Sequence, residues 1–159
     1  MNERQLPGER AAFHLHFESN AFTVGEVIDT ILRGIQGVAP DSEVAGTVEI
    51  VMAEVINNII EHAYNDRAGQ PIEVAVTETA GTVDFHFRDR GRPMPLGVHP
   101  SGAQPDLDVP CDQLPEGGFG WMLIHRLTSD LRYWRDGTMN HLSFSISTNE
   151  STGAQGHRH

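Results

Sequence analysis

Apolar and polar residues alternate from Phe13 to Glu18, with Phe13, Leu15 and Phe17 set against His14, His16 and Glu18. A period of two predicts a half-buried strand. From Phe22 to about Val38 the period changes: Val24, Val27, Ile28, Ile31, Leu32 and Ile35 recur at three and four, the stripe of an amphipathic helix. Pro40-Asp41-Ser42-Glu43 then signals a helix start, with Asp41 or Ser42 as N-cap. The pattern carries this second helix from about Ser42 to Tyr64, with Val44, Val48, Val51, Met52, Val55 and Ile59 on its apolar face.

Alternation returns in Ile72, Val74 and Val76 and again in Val83, Phe85 and Phe87, joined at Ala80-Gly81, which predicts a hairpin. Arg90 to Glu116 has no period and holds six of the nine prolines. A structureless stretch of that length inside a domain is commonly functional, often a lid. A third helix is predicted from Gly117 to about Ser129, and a last hairpin from Leu131–Trp134 and His141–Thr148 around Asp136-Gly137. Runs of strands mixed with runs of helices predict an α+β fold. The expected architecture is a two-layer α/β sandwich, a mixed but mostly antiparallel sheet with helices on one face. One domain is expected over residues 12–148, with flexible termini at 1–11 and 149–159.

Three groups of residues do not serve the core pattern. Glu54, Asn58 and His62 stand four residues apart and share one face of the second helix. Flanked by Val, Ile and Met, they need partners or a wet cavity, or else lie along a solvated helix edge. An amide oxygen suits Mg²⁺, and a carboxylate one turn away can deprotonate a hydroxyl. Asp89 shares strand parity with Phe85 and Phe87, so it faces the helices at the edge of the core. There it can accept from a ligand amine or begin an Asx turn, and Gly91 permits close backbone approach. Gly117-Gly118-Phe119-Gly120 opens the third helix. Free amides and the dipole at such a start attract phosphate, although the cluster fits neither the Walker nor the dinucleotide pattern.

Composition narrows the partners. With 11 basic and 22 acidic residues the net charge is -11, which repels nucleic acid and anionic lipid. The single cysteine, Cys111, cannot form an internal disulfide, and a lone cysteine fits a reducing compartment. No apolar stretch approaches the roughly 20 residues of a membrane span, and the first residues lack the apolar core of a signal peptide. The expected location is the cytoplasm. The nine histidines show no convincing metal spacing.

Taken in order, Glu54-x-x-x-Asn58-x-x-x-His62-Ala63-Tyr64, Asp89-x-Gly91-x-Pro93, Leu114-Pro115-Glu116-Gly117-Gly118-Phe119-Gly120 and Gly137-Thr138 resemble the GHKL (Bergerat-fold) ATPases. The closest likeness is to bacterial anti-sigma factor serine/threonine kinases of the RsbW and SpoIIAB kind, over roughly residues 12–148. The resemblance implies ATP and Mg²⁺ as cofactors, with Asn58 as the metal ligand and Glu54 as the general base. It implies Asp89 at the adenine amino group, Gly91 beside the base, and Thr138, which shares parity with Leu142 and Phe144 and so faces the same interior, assisting adenine binding through water. Gly118, Phe119 and Gly120 would wrap the phosphates, and His62 would lie near them or support the helix.

The same resemblance implies a protein serine/threonine kinase that binds a sigma factor and phosphorylates a STAS-domain anti-anti-sigma protein, acting as a homodimer. Its alternative is a catalytically weak nucleotide-holding module that sequesters a non-sigma target. The lid departs from the family pattern: near its glycines stand Glu116 and Phe119 where members often carry a basic residue.

Overall fold

The computed structural model describes residues 9–94 and 118–149. The chain forms strand β1 (Glu9–Glu18), helix α1 (Val24–Gly34) and helix α2 (Glu43–Asn58), which runs straight into a π-helical turn (Ile59–Ala63). Strands β2 (Pro71–Thr79) and β3 (Thr82–Asp89) follow, and helix α3 (Gly118–Leu127) leads to strands β4 (Ser129–Asp136) and β5 (Met139–Ser147). Of the expected leader, residues 9–11 open β1; residues 1–8, the tail beyond Asn149 and the proline-rich segment 95–117 with Cys111 lie outside the described residues.

The five strands form one sheet in the order β1-β2-β3-β5-β4. Every hydrogen-bonded pair is antiparallel, so the expected mixed sheet is corrected to an antiparallel one. The reason lies in the last hairpin. β4 runs parallel to β3, as a strand after a helical crossover often does, but β5 folds back between them and takes the place beside β3.

The predicted alternation divides the sheet into two faces. Ile72, Val74, Val76, Val83, Phe85, Phe87, Leu142, Phe144 and Ile146 are buried against the helices. Phe85 stacks on Phe144 with ring centroids 5.3 Å apart across the β3–β5 register. The opposite face carries His14, His16, Glu73, His86 and His141, with Trp134 lying flat on the His141 ring at 4.8 Å. Helix α2 is the central helix: Val48, Val51, Met52, Val55 and Ile56 are completely buried. Its N-cap is Ser42, whose hydroxyl accepts from the Ala45 amide at 3.1 Å.

Glu78 is a charged residue in the inward row of β2, and only 1% of it is exposed. Its carboxylate accepts from the amides of Gln36 and Gly37, just beyond α1. These bonds tie the connection between the two helices to the sheet. Hydrogen bonds to a buried carboxylate contribute about 1.5–3 kcal/mol each, and the orphaned amides would cost as much again. Glu78→Ala is therefore expected to lower unfolding free energy by at least roughly 3 kcal/mol in urea melts. A change under about 1 kcal/mol would show that the amides find other partners.

Candidate functional site

The site forms where the C-terminal end of α2 meets the ends of β3 and β5. Up to Asn58 the helix keeps its regular period. Beyond it the Tyr64 amide bonds the Ile59 carbonyl at 3.0 Å, five residues back, and the Asp66 amide reaches Ile60 at 2.8 Å. The expected continuous α-helix to Tyr64 is thus corrected to an α-helix closed by a π turn, a feature frequent at functional sites. Widening the turn leaves the carbonyls of His62 and Ala63 outside the helical ladder. Arg92 takes both: its amide donates to Ala63 at 2.7 Å and its guanidinium to His62 at 3.1 Å. Gly91 lies against the Ala63 carbonyl so closely that a Cβ would overlap it, which is why this position requires glycine.

Asp89 ends β3 directly opposite Asn140 of β5. It is 7% exposed. Its Oδ1 accepts from the Gly91 amide at 2.9 Å and from Asn140 Nδ2 at 2.8 Å. Its Oδ2 has no partner among the described residues. Burial pushes the Asp89 carboxyl above its ordinary value, and the bonds from Asn140 and Gly91 and the nearby Arg135 charge offset part of that rise.

Asp89, Asn58 and His62 line one narrow cleft, floored by Val55, Ile59 and Leu142 and flanked by Trp121 of α3. An apolar cleft with a few convergent polar groups is the usual form of a small-molecule site. Glu54 stands one turn up α2, under the start of α3. A Cβ on Gly120 would strike Glu54 Oε2 and come within 3.5 Å of Asn58 Nδ2, so glycine lets the helix start settle onto these two side chains. The positive end of the α3 dipole favours a carboxylate there. Asn58 Nδ2 is buried without a partner among the described residues. An orphaned buried amide N–H costs about 1–3 kcal/mol, so an acceptor from water or a ligand belongs beside it.

Among the described residues no group of three His, Cys, Asp or Glu can hold a metal ion unaided. The donor set fits Mg²⁺ in its usual manner, in which one or two protein oxygens share the ion with substrate phosphates. Asn58 offers an amide oxygen and Glu54 a carboxylate, both hard donors.

Thr138 stands elsewhere. It is exposed in the β4–β5 turn, and the interior position expected for it belongs to Asn140. Strand parity does not continue through the turn, where Gly137 adopts a positive φ of 59°. Gly118 begins α3, while the side chain of Phe119 lies outside the described residues. Three polar residues of the site, Asn140, Tyr133 and Arg135, are absent from the sequence reading. The available signal was an asparagine in the inward row with Leu142 and Phe144.

The profile of the histidine kinase-like ATPase domain matches residues 17–146. The chain belongs to that family. Among relatives of this histidine kinase-like ATPase domain, serine-protein kinase RsbW of Oceanobacillus iheyensis is 29% identical over 86 residues, covering 54% of each chain. RsbW of Bacillus cereus is 26% identical over 99 residues, 56% of each chain. Serine/threonine-protein kinase BtrW of Bordetella bronchiseptica is 28% identical over 100 residues, 62% of this chain and 68% of its own length. The chain spans about half the length of the RsbW relatives it matches. The blue-light activated histidine kinase of Erythrobacter litoralis EL346 superposes with a TM-score of 0.51 at 21% identity, over 83% of this chain and 42% of that one, a likeness of fold. No helix among the described residues is long and apolar enough to cross a membrane.

Proposed function

We propose that this histidine kinase-like ATPase domain binds Mg·ATP and transfers the terminal phosphoryl group to a serine or threonine of a protein. The observation that carries the reading is the meeting of Asp89 and Asn58 in one cleft, with Glu54 one helical turn away. Relatives bearing the names serine-protein kinase and serine/threonine-protein kinase support it.

Each residue has a part that its chemistry suits. Asp89 accepts from the adenine amino group through Oδ2, and Gly91 lets the base lie flat beside the backbone. Asn58 gives its amide oxygen to Mg²⁺. The bound Mg·ATP supplies the phosphoryl group and neutralises the charge on its oxygens. Amides at the start of α3, Gly118 to Gly120, face the phosphates, with His62 at the cleft wall. Glu54 takes the proton from the incoming hydroxyl as its oxygen bonds phosphorus and ADP departs. Positioning and charge do most of the work, because phosphoryl transfer passes through a loose transition state.

The partners that go with this reading are a sigma factor, held by the protein, and a STAS-domain anti-anti-sigma protein, phosphorylated by it. The working form is a homodimer in the cytoplasm. The test is incubation with Mg·ATP and candidate STAS-domain proteins of the same organism, followed by mass spectrometry. One phosphoserine or phosphothreonine on the STAS protein is the expected product. A protein that binds ATP and the partner yet never transfers phosphate would be a sequestering module instead.

A further inference from the structure

Asn140 is only 3% exposed, and its whole hydrogen-bonding capacity is committed. Its Oδ1 accepts from the Tyr133 hydroxyl at 2.9 Å and from the Arg135 guanidinium at 2.7 Å. Its Nδ2 donates to Asp89 Oδ1 and to the Arg92 carbonyl, each at 2.8 Å, with a longer contact of 3.3 Å to the Gly91 carbonyl. The amide cannot be reversed, because its oxygen would then face three acceptors. Arg135 also donates to the Gly91 carbonyl at 3.0 Å, and the Tyr133 hydroxyl accepts from the Met94 amide at 2.8 Å. The last hairpin thus grips the backbone from Gly91 to Met94 through Asn140, Arg135 and Tyr133, and one oxygen of Asp89 through Asn140.

We propose that Asn140 is the positioning residue of the site. By occupying Asp89 Oδ1 it turns Oδ2 toward the cleft and holds that oxygen as a carboxylate acceptor, which selects a purine bearing an exocyclic amine. The proposal rests on the nucleotide reading above. A mere packing role for Asn140 would support the Gly91–Met94 backbone without governing which oxygen of Asp89 is presented. The two roles differ in what they do to ligand choice and to the Asp89 proton.

The direction of the Asp89 shift agrees. Burial raises its carboxyl, and the Asn140 bond is the largest influence lowering it again. The charged or titratable groups bearing on it are Arg135 and Tyr133 on β4, His141 beside Asn140 on β5, and Tyr64 after the π turn. Without Asn140 the carboxyl should hold its proton to higher pH, and a protonated Oδ2 is a poor acceptor for an amine.

The full chain carrying Asn140→Leu is compared with wild type in two measurements. One is calorimetric affinity for ATP and for purine riboside triphosphate, which lacks the exocyclic amine. The other is a carbon-13 titration of the Asp89 carboxyl without ligand. In wild type ATP is expected to bind more tightly than the analogue. In Asn140→Leu, ATP should weaken about tenfold or more while the analogue changes little, closing the gap between them. The Asp89 titration should move to higher pH. Tyr133→Phe, which keeps Asn140 but removes the hydroxyl bonded to its Oδ1, should move both readouts the same way by less, and it decides the matter if Asn140→Leu does not fold. An unchanged ligand ratio together with an unchanged Asp89 titration would overturn the proposal. Wild type that binds no ATP would sink the nucleotide reading instead, and the carboxyl titration would still show whether Asn140 holds the carboxylate.

Discussion

Asp89→Asn is expected to abolish useful ATP affinity and, at the same time, to give a protein that is more stable at neutral pH. The first effect follows from the hydrogen bonds. Both the Gly91 amide and Asn140 Nδ2 donate to Oδ1 of residue 89. An asparagine there must keep its oxygen facing these two donors, which places its NH₂ where Oδ2 had been. The acceptor offered to the cleft becomes a donor and meets the amine of adenine with like polarity. Losing a hydrogen bond to a carboxylate and leaving two donors opposed costs on the order of 3 kcal/mol, about a hundredfold in affinity or more.

The second effect follows from the proton. The folded Asp89 carboxyl titrates above its ordinary 3.8. A carboxyl raised in the folded state contributes stability below its unfolded value, and that contribution is lost as pH rises through the folded value. At pH 7 the ionised, buried Asp89 is therefore a burden on the empty protein, while asparagine carries none. Thermal melts should show the variant above wild type at pH 7, with the gap closing as pH falls through the acid range. An Asp89→Asn variant that binds ATP within a few-fold of wild type would remove Asp89 from the adenine site. One that is also clearly less stable at pH 7 would show that the carboxylate supports the fold. Residues that weaken the empty protein in order to serve a ligand are common at binding sites.

What the sequence made legible, and what it hid, divides along physical lines. Period two and period three-to-four located β1, α1, α2, β2 and β3, because burial on one face leaves its mark at each turn and each pleat. Asp89 could be placed on the inner face by counting from Phe85, since the strand runs unbroken to it. Thr138 could not be placed by counting back from Leu142, because it lies in the hairpin turn itself, beside the positive-φ Gly137 and one residue before β5 begins. Asn140 sits where β5 begins, two residues ahead of the first apolar side chain of its row, so only its parity with Leu142 and Phe144 marked it. The π turn left no trace either: Ile59-Ile60-Glu61-His62-Ala63 suits an ordinary helix, and the wider turn depends on the remote backbone of Gly91 and Arg92. Glu78 was readable in principle as a charge in the row of Ile72, Val74 and Val76, but its partners, the amides of Gln36 and Gly37, are some forty residues away.

Glu54→Gln is the substitution that separates binding from chemistry. Glutamine matches glutamate in shape, so the start of α3 can still rest on it through Gly120, where a larger or smaller side chain would shift the helix. The amide keeps an oxygen for hydrogen bonding but cannot take a proton from a hydroxyl. General-base catalysis by a positioned side chain contributes roughly 10²–10⁴-fold, so the rate of phosphoserine or phosphothreonine formation should fall by about that factor. ATP affinity, read by calorimetry, should stay within a few-fold, because Asp89 and Asn58 are untouched. If phosphate transfer persists near the wild-type rate, the hydroxyl proton leaves by another route and Glu54 is no base. If affinity collapses along with the rate, Glu54 belongs to the binding of Mg·ATP, and its place beside Asn58 under the helix start serves the ion instead of the hydroxyl. Only a loss confined to the rate agrees with a carboxylate that lies one turn above the nucleotide contacts and acts on the protein substrate.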